Sequence, residues 1–171
     1  MSDLIFDNGE FARLEKARSG ELTLDKLPRL ASDVLGGGPV VFELVGGSDR
    51  RRRYTLDLRL QGALRIRCQR CLGEMPFDLD VATRFTLFSD EARLDAAEAE
   101  DEDIDGLLIE REFDLKALIE DEILLTLPYA PVHEQCAPTA QAVEDAAKPQ
   151  KPNPFAVLAG LKGRLKSDDG A

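Results

Sequence analysis

Tryptophan is absent from the 171 residues, histidine occurs once, and the aromatic complement is completed by two Tyr and eight Phe. The core must therefore rest on Leu, Val, Ile and Phe, and few rings are left to stack on nucleobases. With one histidine and no G-x-S-x-G stretch, a nucleophile-and-base relay has no supported constellation. Neither G-x-x-x-x-G-K-[ST] nor G-x-G-x-x-G occurs, so no phosphate-cradling loop points to a nucleotide. No apolar run approaches the roughly 18 residues a membrane-spanning helix needs. The opening Met-Ser-Asp-Leu-Ile-Phe-Asp lacks the basic-then-apolar order of a secretory signal, so a cytoplasmic location is expected. Three cysteines, an odd number, favour thiols or metal ligands over a disulfide framework. These absences predict a non-enzymatic protein with no small-molecule substrate and no membrane partner.

Charge is plentiful but uneven. Lys and Arg number 22 against 33 Asp and Glu, a net charge of −11, which argues against indiscriminate nucleic-acid binding because phosphate contacts need cationic surface. Between Ser48 and Leu72, Arg50, Arg51, Arg52, Arg53, Arg59, Arg65, Arg67 and Arg70 stand against only Asp49 and Asp57. Between Ser89 and Glu112, eleven Asp and Glu stand against Arg93 and Arg111. The two segments can attract each other or serve different partners.

Two of the three cysteines lie in Cys68-Gln69-Arg70-Cys71, at the end of the basic segment. Two thiolates at this spacing can reach one metal ion at about 2.3 Å each, half of a zinc site. Leu56, Leu58 and Leu60 alternate with polar residues, and the alternation resumes after Gly62 as Leu64, Ile66 and Cys68, which is strand spacing with a kink or turn near Gly62. Phe77, Leu79, Val81, Phe85 and Leu87 alternate again. On a continuous strand Cys68 and Cys71 would point to opposite faces, so a hairpin with the pair at its turn is predicted.

The rest of the chain divides by its punctuation. Asp7 to Arg18 reads as a helix ended by Ser19-Gly20, Glu21 to Leu24 as extended, and Asp25 or Leu27 to about Val34 as a short helix. Gly36-Gly37-Gly38-Pro39 breaks the chain, and Val40 to Val45 forms a β-rich run. Short connections make antiparallel pairing the expected choice, since a parallel pair needs a crossover of about a dozen residues or more. Residues 89–105 read as an acidic loop, partly helical at most and solvated by default, or as a mimic covering a cationic surface. Leu107, Leu108 and Ile109 suit one more strand. From Asp114, a good cap, Leu115, Leu118, Ile119, Glu122, Ile123 and Leu127 follow at helical steps until Pro128, with Glu120, Asp121 and Glu122 expected as a solvated face plus one rim position.

The loop Pro128 to Pro138 holds His133 and Cys136. With Cys68 and Cys71 they complete a set suited to tetrahedral zinc, although a lone His and a lone Cys in a polar loop are commonly surface residues. The arginines have two readings: protection of a turn and a sheet edge, or a stripe that contacts phosphate or an acidic partner. From Thr139 the composition becomes that of a flexible linker, leading to Asn153-Pro154-Phe155, where a short helix begins with Phe155, Leu158 and Leu161 on one stripe. That helix needs either its own sheet or a partner groove to dock on.

Four blocks in order carry a family resemblance: Cys68 to Leu72, Glu120 to Pro128, Pro131 to His133, and Lys151 to Leu158. Over nearly the whole chain the sequence resembles the YceD family. The resemblance implies a bacterial-type cytoplasmic protein associated with accumulation of large-subunit ribosomal RNA, with no known enzymatic activity. Many similar sequences share the first Cys pair but carry two further cysteines downstream, where His133 and Cys136 stand here.

The expected fold is α+β: an antiparallel sheet, meander or partial barrel, from Val40 to about Phe88, with N-terminal helices and one packed C-terminal helix, in a single domain over 1–138. Residues 139–171 form the linker and tail. Two functions compete. One is a factor for large-subunit ribosomal RNA that binds a ribosomal protein or precursor particle, through the acidic segment or by direct RNA contact of the arginines. The other is a zinc-binding structural or regulatory module without ribosomal contact.

Overall fold

A computed structural model describes residues 4–136. Its elements in chain order are β1 (Ile5–Phe6), α1 (Asn8–Arg13), β2 (Ala17–Leu22), two 3-10 turns (Leu24–Lys26 and Pro28–Ser32), β3 (Val34–Gly37), β4 (Val40–Ser48), β5 (Tyr54–Arg67), β6 (Glu74–Phe88), α2 (Glu91–Glu100), β7 (Asp105–Leu108), β8 (Phe113–Asp114) and α3 (Leu115–Thr126). The class is α+β, as the alternating segments imply. The main sheet runs β2-β4-β5-β6-β7 with β3 also paired to β5, and β1 and β8 make a separate two-stranded ribbon.

The long β5–β6 hairpin is the axis of the fold. Its antiparallel register is unbroken from Thr55 opposite Thr86 to Arg67 opposite Glu74. Every second residue of β5 turns inward, so Leu56, Leu58, Leu60, Leu64 and Ile66 are buried together with Leu79, Val81, Phe85 and Leu87 of β6. Val40, Phe42 and Leu44 extend this face on β4, and Leu115, Leu118, Ile119 and Ile123 of α3 contribute to the same core. No turn forms at Gly62, because it keeps the alternation of its neighbours and faces Leu79. It lies where the strand beside β5 changes: β4 pairs up to Gln61, and β3 takes over at Leu64. The glycine run before Pro39 is thus partly strand. Gly37 has φ +148, and a Cβ there would lie 2.5 Å from the Ala63 carbonyl oxygen, so only glycine fits.

The N-terminal expectation needs correction. Helix α1 stops at Arg13, Glu15 turns the chain with φ 49, and Ala17–Leu22 is a strand paired with Val40–Val45. Ser19-Gly20 is therefore mid-strand; a Cβ on Gly20 would lie 3.0 Å from the Phe42 ring, so the glycine makes room for a core aromatic. The expected helix after Asp25 is only the pair of 3-10 turns.

The acidic segment is not a loop. Asp90 caps α2 by accepting the Arg93 N–H, and α2 carries the chain over to β7, which pairs with β6 in parallel. The sheet is mixed, and the segment supplies the crossover a parallel pair requires. Leu94 and Ala97 are the half-buried residues of α2, and Leu94 sits against Gly106 of β7, where a side chain would meet it at 2.9 Å.

Two buried polar groups tie the periphery to the sheet. Asn8 is fully buried: its Nδ2 donates to the Leu108 carbonyl at 2.9 Å and its Oδ1 accepts from the Glu110 N–H at 2.8 Å, which satisfies the free edge beyond β7. The acidic triplet of α3 is not a solvated face. Glu120 is 2% exposed and accepts the Arg29 N–H, Asp121 pairs with the Arg29 guanidinium at 2.6 Å, and Glu122 accepts the Thr83 hydroxyl at 2.6 Å. Three consecutive residues fan around a helix, and here two of them meet the backbone and the side chain of Arg29 while the third reaches Thr83 on β6.

Replacing Asn8 by Ala leaves two partly buried backbone groups, the Leu108 carbonyl and the Glu110 N–H, without their side-chain partner and is expected to lower the unfolding free energy by about 2 kcal/mol in urea titration. Glu120→Gln keeps the acceptor for Arg29 and should cost less than about 1 kcal/mol, whereas Glu120→Ala should cost about 2 to 3 kcal/mol.

Candidate metal centre

The β5–β6 turn is built so that two sulfurs face the same side. Cys68 continues the inward phase of Leu64 and Ile66 and is fully buried. Its N–H donates to the Gly73 carbonyl at 2.9 Å, the Leu72 N–H donates back to the Cys68 carbonyl at 2.9 Å, and Leu72 adopts the left-handed φ of 60. This tight reversal returns Cys71 towards Cys68, which a continuous strand cannot do.

The segment after α3 lies against this turn. It has no regular secondary structure through Cys136, and the Gln69 N–H holds it by donating to the Pro131 carbonyl at 2.8 Å. His133 and Cys136 thereby reach the cysteine pair. The Sγ atoms of Cys68 and Cys136 are 3.7 Å apart, Cys71 Sγ and His133 Nδ1 are 3.4 Å apart, and one donor atom from each of the four residues lies within 4.8 Å of every other. All three cysteines are free thiols. The far nitrogen of His133, Nε2, is 3.1 Å from the Glu74 carbonyl oxygen, to which it donates, leaving Nδ1 facing the sulfurs as an acceptor. Arg70 Nη1 reaches the Cys136 carbonyl at 3.5 Å.

The turn also favours an anion. Burial pushes the Cys68 thiol up, but hydrogen bonds from the backbone amides of Cys71, His133 and Arg70 outweigh it and bring the thiol down to about 5. Cys136 moves the other way, raised by burial and then by the adjacent sulfurs of Cys68 and Cys71.

The arginines, by contrast, are not one patch. Arg50, Arg51, Arg52 and Arg53 occupy the β4–β5 turn, where Asp49 accepts from both the backbone and the side chain of Arg53 and holds that side chain at 2.7 Å. Arg65 and Arg67 are exposed at the opposite end of β5 and Arg70 lies in the cysteine turn, about 40 Å from Arg50 at ordinary strand rise. Arg59, Arg65 and Arg67 do share the outward face. On it Arg65 pairs with Glu74 at 3.3 Å, Arg59 lies opposite Glu43, and Asp57 is paired by Arg84. The stripe is a mixed face on which acids neighbour the bases. Asn153, Pro154, Phe155, Leu158 and Leu161 lie outside the described residues.

The Gln69 amide, the Pro131 carbonyl and the Glu74 carbonyl complete the site and were not anticipated from the sequence. They act through the backbone, which any residue type supplies, so no sequence signal marks them.

The fold and site define a mixed-sheet α+β protein with a four-donor Cys and His cluster at its main hairpin turn. Among the described residues no helix is long and apolar enough to cross a membrane. The family model for "Large ribosomal RNA subunit accumulation protein YceD" matches residues 56–162. The Large ribosomal RNA subunit accumulation protein YceD of Haemophilus influenzae is 31% identical over 147 residues, which cover 81% of this chain and 82% of that protein. The chain belongs to the YceD family. No solved structure matches it.

Proposed function

We propose that this chain is a non-enzymatic cytoplasmic factor that promotes accumulation of large-subunit ribosomal RNA by binding a basic ribosomal protein or a precursor particle that contains one. The observation that carries the reading is membership of a family whose curated relative is named for that accumulation. The charge layout favours protein over naked RNA as the primary contact. Arg53 and Arg65 already have carboxylate partners, Arg59 faces Glu43 across the strands, and the two arginine groups lie at opposite ends of β5. A phosphate backbone is bound well by contiguous uncompensated cations, which this face does not offer.

The acidic helix offers the complementary surface. Glu91, Asp95, Glu98 and Glu100 are all exposed on α2, and Asp101, Glu102 and Asp103 continue the exposed acidic run. Ribosomal proteins that bind RNA are cationic, and a matching negative surface steers their encounter and shields them before assembly.

Capture of large-subunit proteins from bacterial lysate by the full chain is expected to survive nuclease treatment. It should fall at least about tenfold when Glu91→Gln, Asp95→Asn, Glu98→Gln and Glu100→Gln are combined. Capture that is lost with nuclease, and that responds instead to Arg67→Ser with Arg70→Ser, would replace this reading by direct RNA binding.

A further inference from the structure

We propose that Cys68, Cys71, His133 and Cys136 bind one zinc ion, and that this ion fastens residues 128–136 onto the β5–β6 hairpin. The inference is independent of the ribosomal reading and rests on the geometry of the cluster. Sulfurs about 2.3 Å and a nitrogen about 2.05 Å from a tetrahedral ion place two sulfurs about 3.8 Å apart and a sulfur and a nitrogen about 3.6 Å apart. The observed separations are 3.7 Å for Cys68 Sγ to Cys136 Sγ and 3.4 Å for Cys71 Sγ to His133 Nδ1. Two edges of such a tetrahedron are already formed, one from each pair of facing residues.

The alternatives fit less well. A sulfur separation of 3.7 Å is far from the roughly 2.05 Å of a disulfide, and pairing any two of the cysteines would leave the third thiol and the imidazole turned into the same site without a role. A dithiol exchange motif needs an accessible attacking sulfur, and Cys68 is completely buried. Accidental clustering at a surface does not account for donors that converge from two segments more than sixty residues apart in the chain.

The surroundings of the ligands match those of a structural ion. The imidazole is oriented by the Glu74 carbonyl on Nε2, which leaves Nδ1 for the metal, the outer contact that metal-bound histidines commonly have. Three thiolates and an imidazole suit zinc over the hard cations magnesium and calcium. Four protein donors leave no open position, so the ion holds structure and does not activate water.

Its mechanical effect follows from what else holds residues 128–136. Tyr129, Val132, Glu134 and Gln135 are exposed, and apart from the sulfurs the polar contacts with the hairpin among the described residues are the Gln69 to Pro131 bond, the Arg70 contact with the Cys136 carbonyl and the His133 contact with the Glu74 carbonyl. A segment with so little buried surface gains its fixed position from its two ligands.

Full-length protein purified without chelator should contain one zinc per chain by elemental mass spectrometry, and cobalt in its place should give the visible bands of a tetrahedral thiolate site. His133→Ala, on the surface strap, should reduce zinc content at least about tenfold at the same chelator strength, while His133→Cys should retain the metal. Removing the ion should speed hydrogen exchange in residues 129–136 at least about tenfold and leave the central amides of β5 and β6 protected. Folded protein without zinc, even after refolding with excess zinc, would overturn the proposal. So would zinc that is held equally well by the Cys68→Ser and Cys136→Ser chains, each shown folded by circular dichroism.

Discussion

The pairing of β5 with β6 is the constraint on which everything else depends. A one-residue slip in a two-strand register sends every inward side chain to the solvent face. Here such a slip would expose Leu56, Leu58 and Leu60 and bury Asp57, Arg59 and Gln61, a cost no local adjustment can offset. Because the register is so strongly fixed, the inward position just past the end of β5 is fixed too, and that position is Cys68. The burial of one ligand is thus a consequence of sheet pairing, and the turn that follows only has to return Cys71 to the same side.

The same register arranges the charge. Outward residues of β5 meet outward residues of β4 and β6, so Arg59 faces Glu43, Arg65 meets Glu74, and Asp57 meets Arg84. Exposed pairs of this kind add at most about 1 kcal/mol each to stability. Their larger effect is to cancel the field of the sheet face, which leaves net charge concentrated elsewhere. The exposed side of α2 is one such place. The carboxylates nearest the core behave differently: Glu120, Asp121 and Glu122 are taken up in joining α3 to the 3-10 turn and to β6, and are not available to a partner.

Much of this was legible in the residues because period and turn chemistry act locally. The strand alternation on either side of the cysteines and the cap at Asp114 could be read directly, and the grouping of Cys68 and Cys71 with His133 and Cys136 was one of two readings the residues allowed. What escaped depends on partners distant in sequence. Glycine at Gly20 reads as a stop, yet it sits mid-strand to accommodate Phe42; Gly62 reads as a kink or turn, yet it stays in the β5 ladder where β3 replaces β4. Residues 89–105 read as solvated because acidic residues repel, but an N-cap at Asp90 and two half-buried residues, Leu94 and Ala97, suffice for a helix that connects parallel strands. The buried roles of Asn8 and Glu120 were invisible for the same reason: each is defined by the backbone groups it meets about a hundred residues away.

Distance then separates the two ends of the molecule. The β4–β5 turn and the start of α2 lie at one end of the hairpin, because β6 finishes where β5 begins; the cysteine turn, Arg67 and Arg70 lie at the other. Charges interact weakly beyond about 8 Å at physiological ionic strength, and the hairpin spans roughly five times that length. Neither end can alter the other's affinity through the electric field alone. Any influence of the cysteine cluster on α2 must therefore travel through packing, and the packed path available is the hairpin itself, whose core positions from Leu56 to Ile66 are filled. Such a core deforms little when one of its ends is locally rearranged. An ion held by the cysteine cluster, as proposed above, would accordingly act on the local placement of residues 128–136, while α2, at the other end of the hairpin, is held by its own contacts with β7.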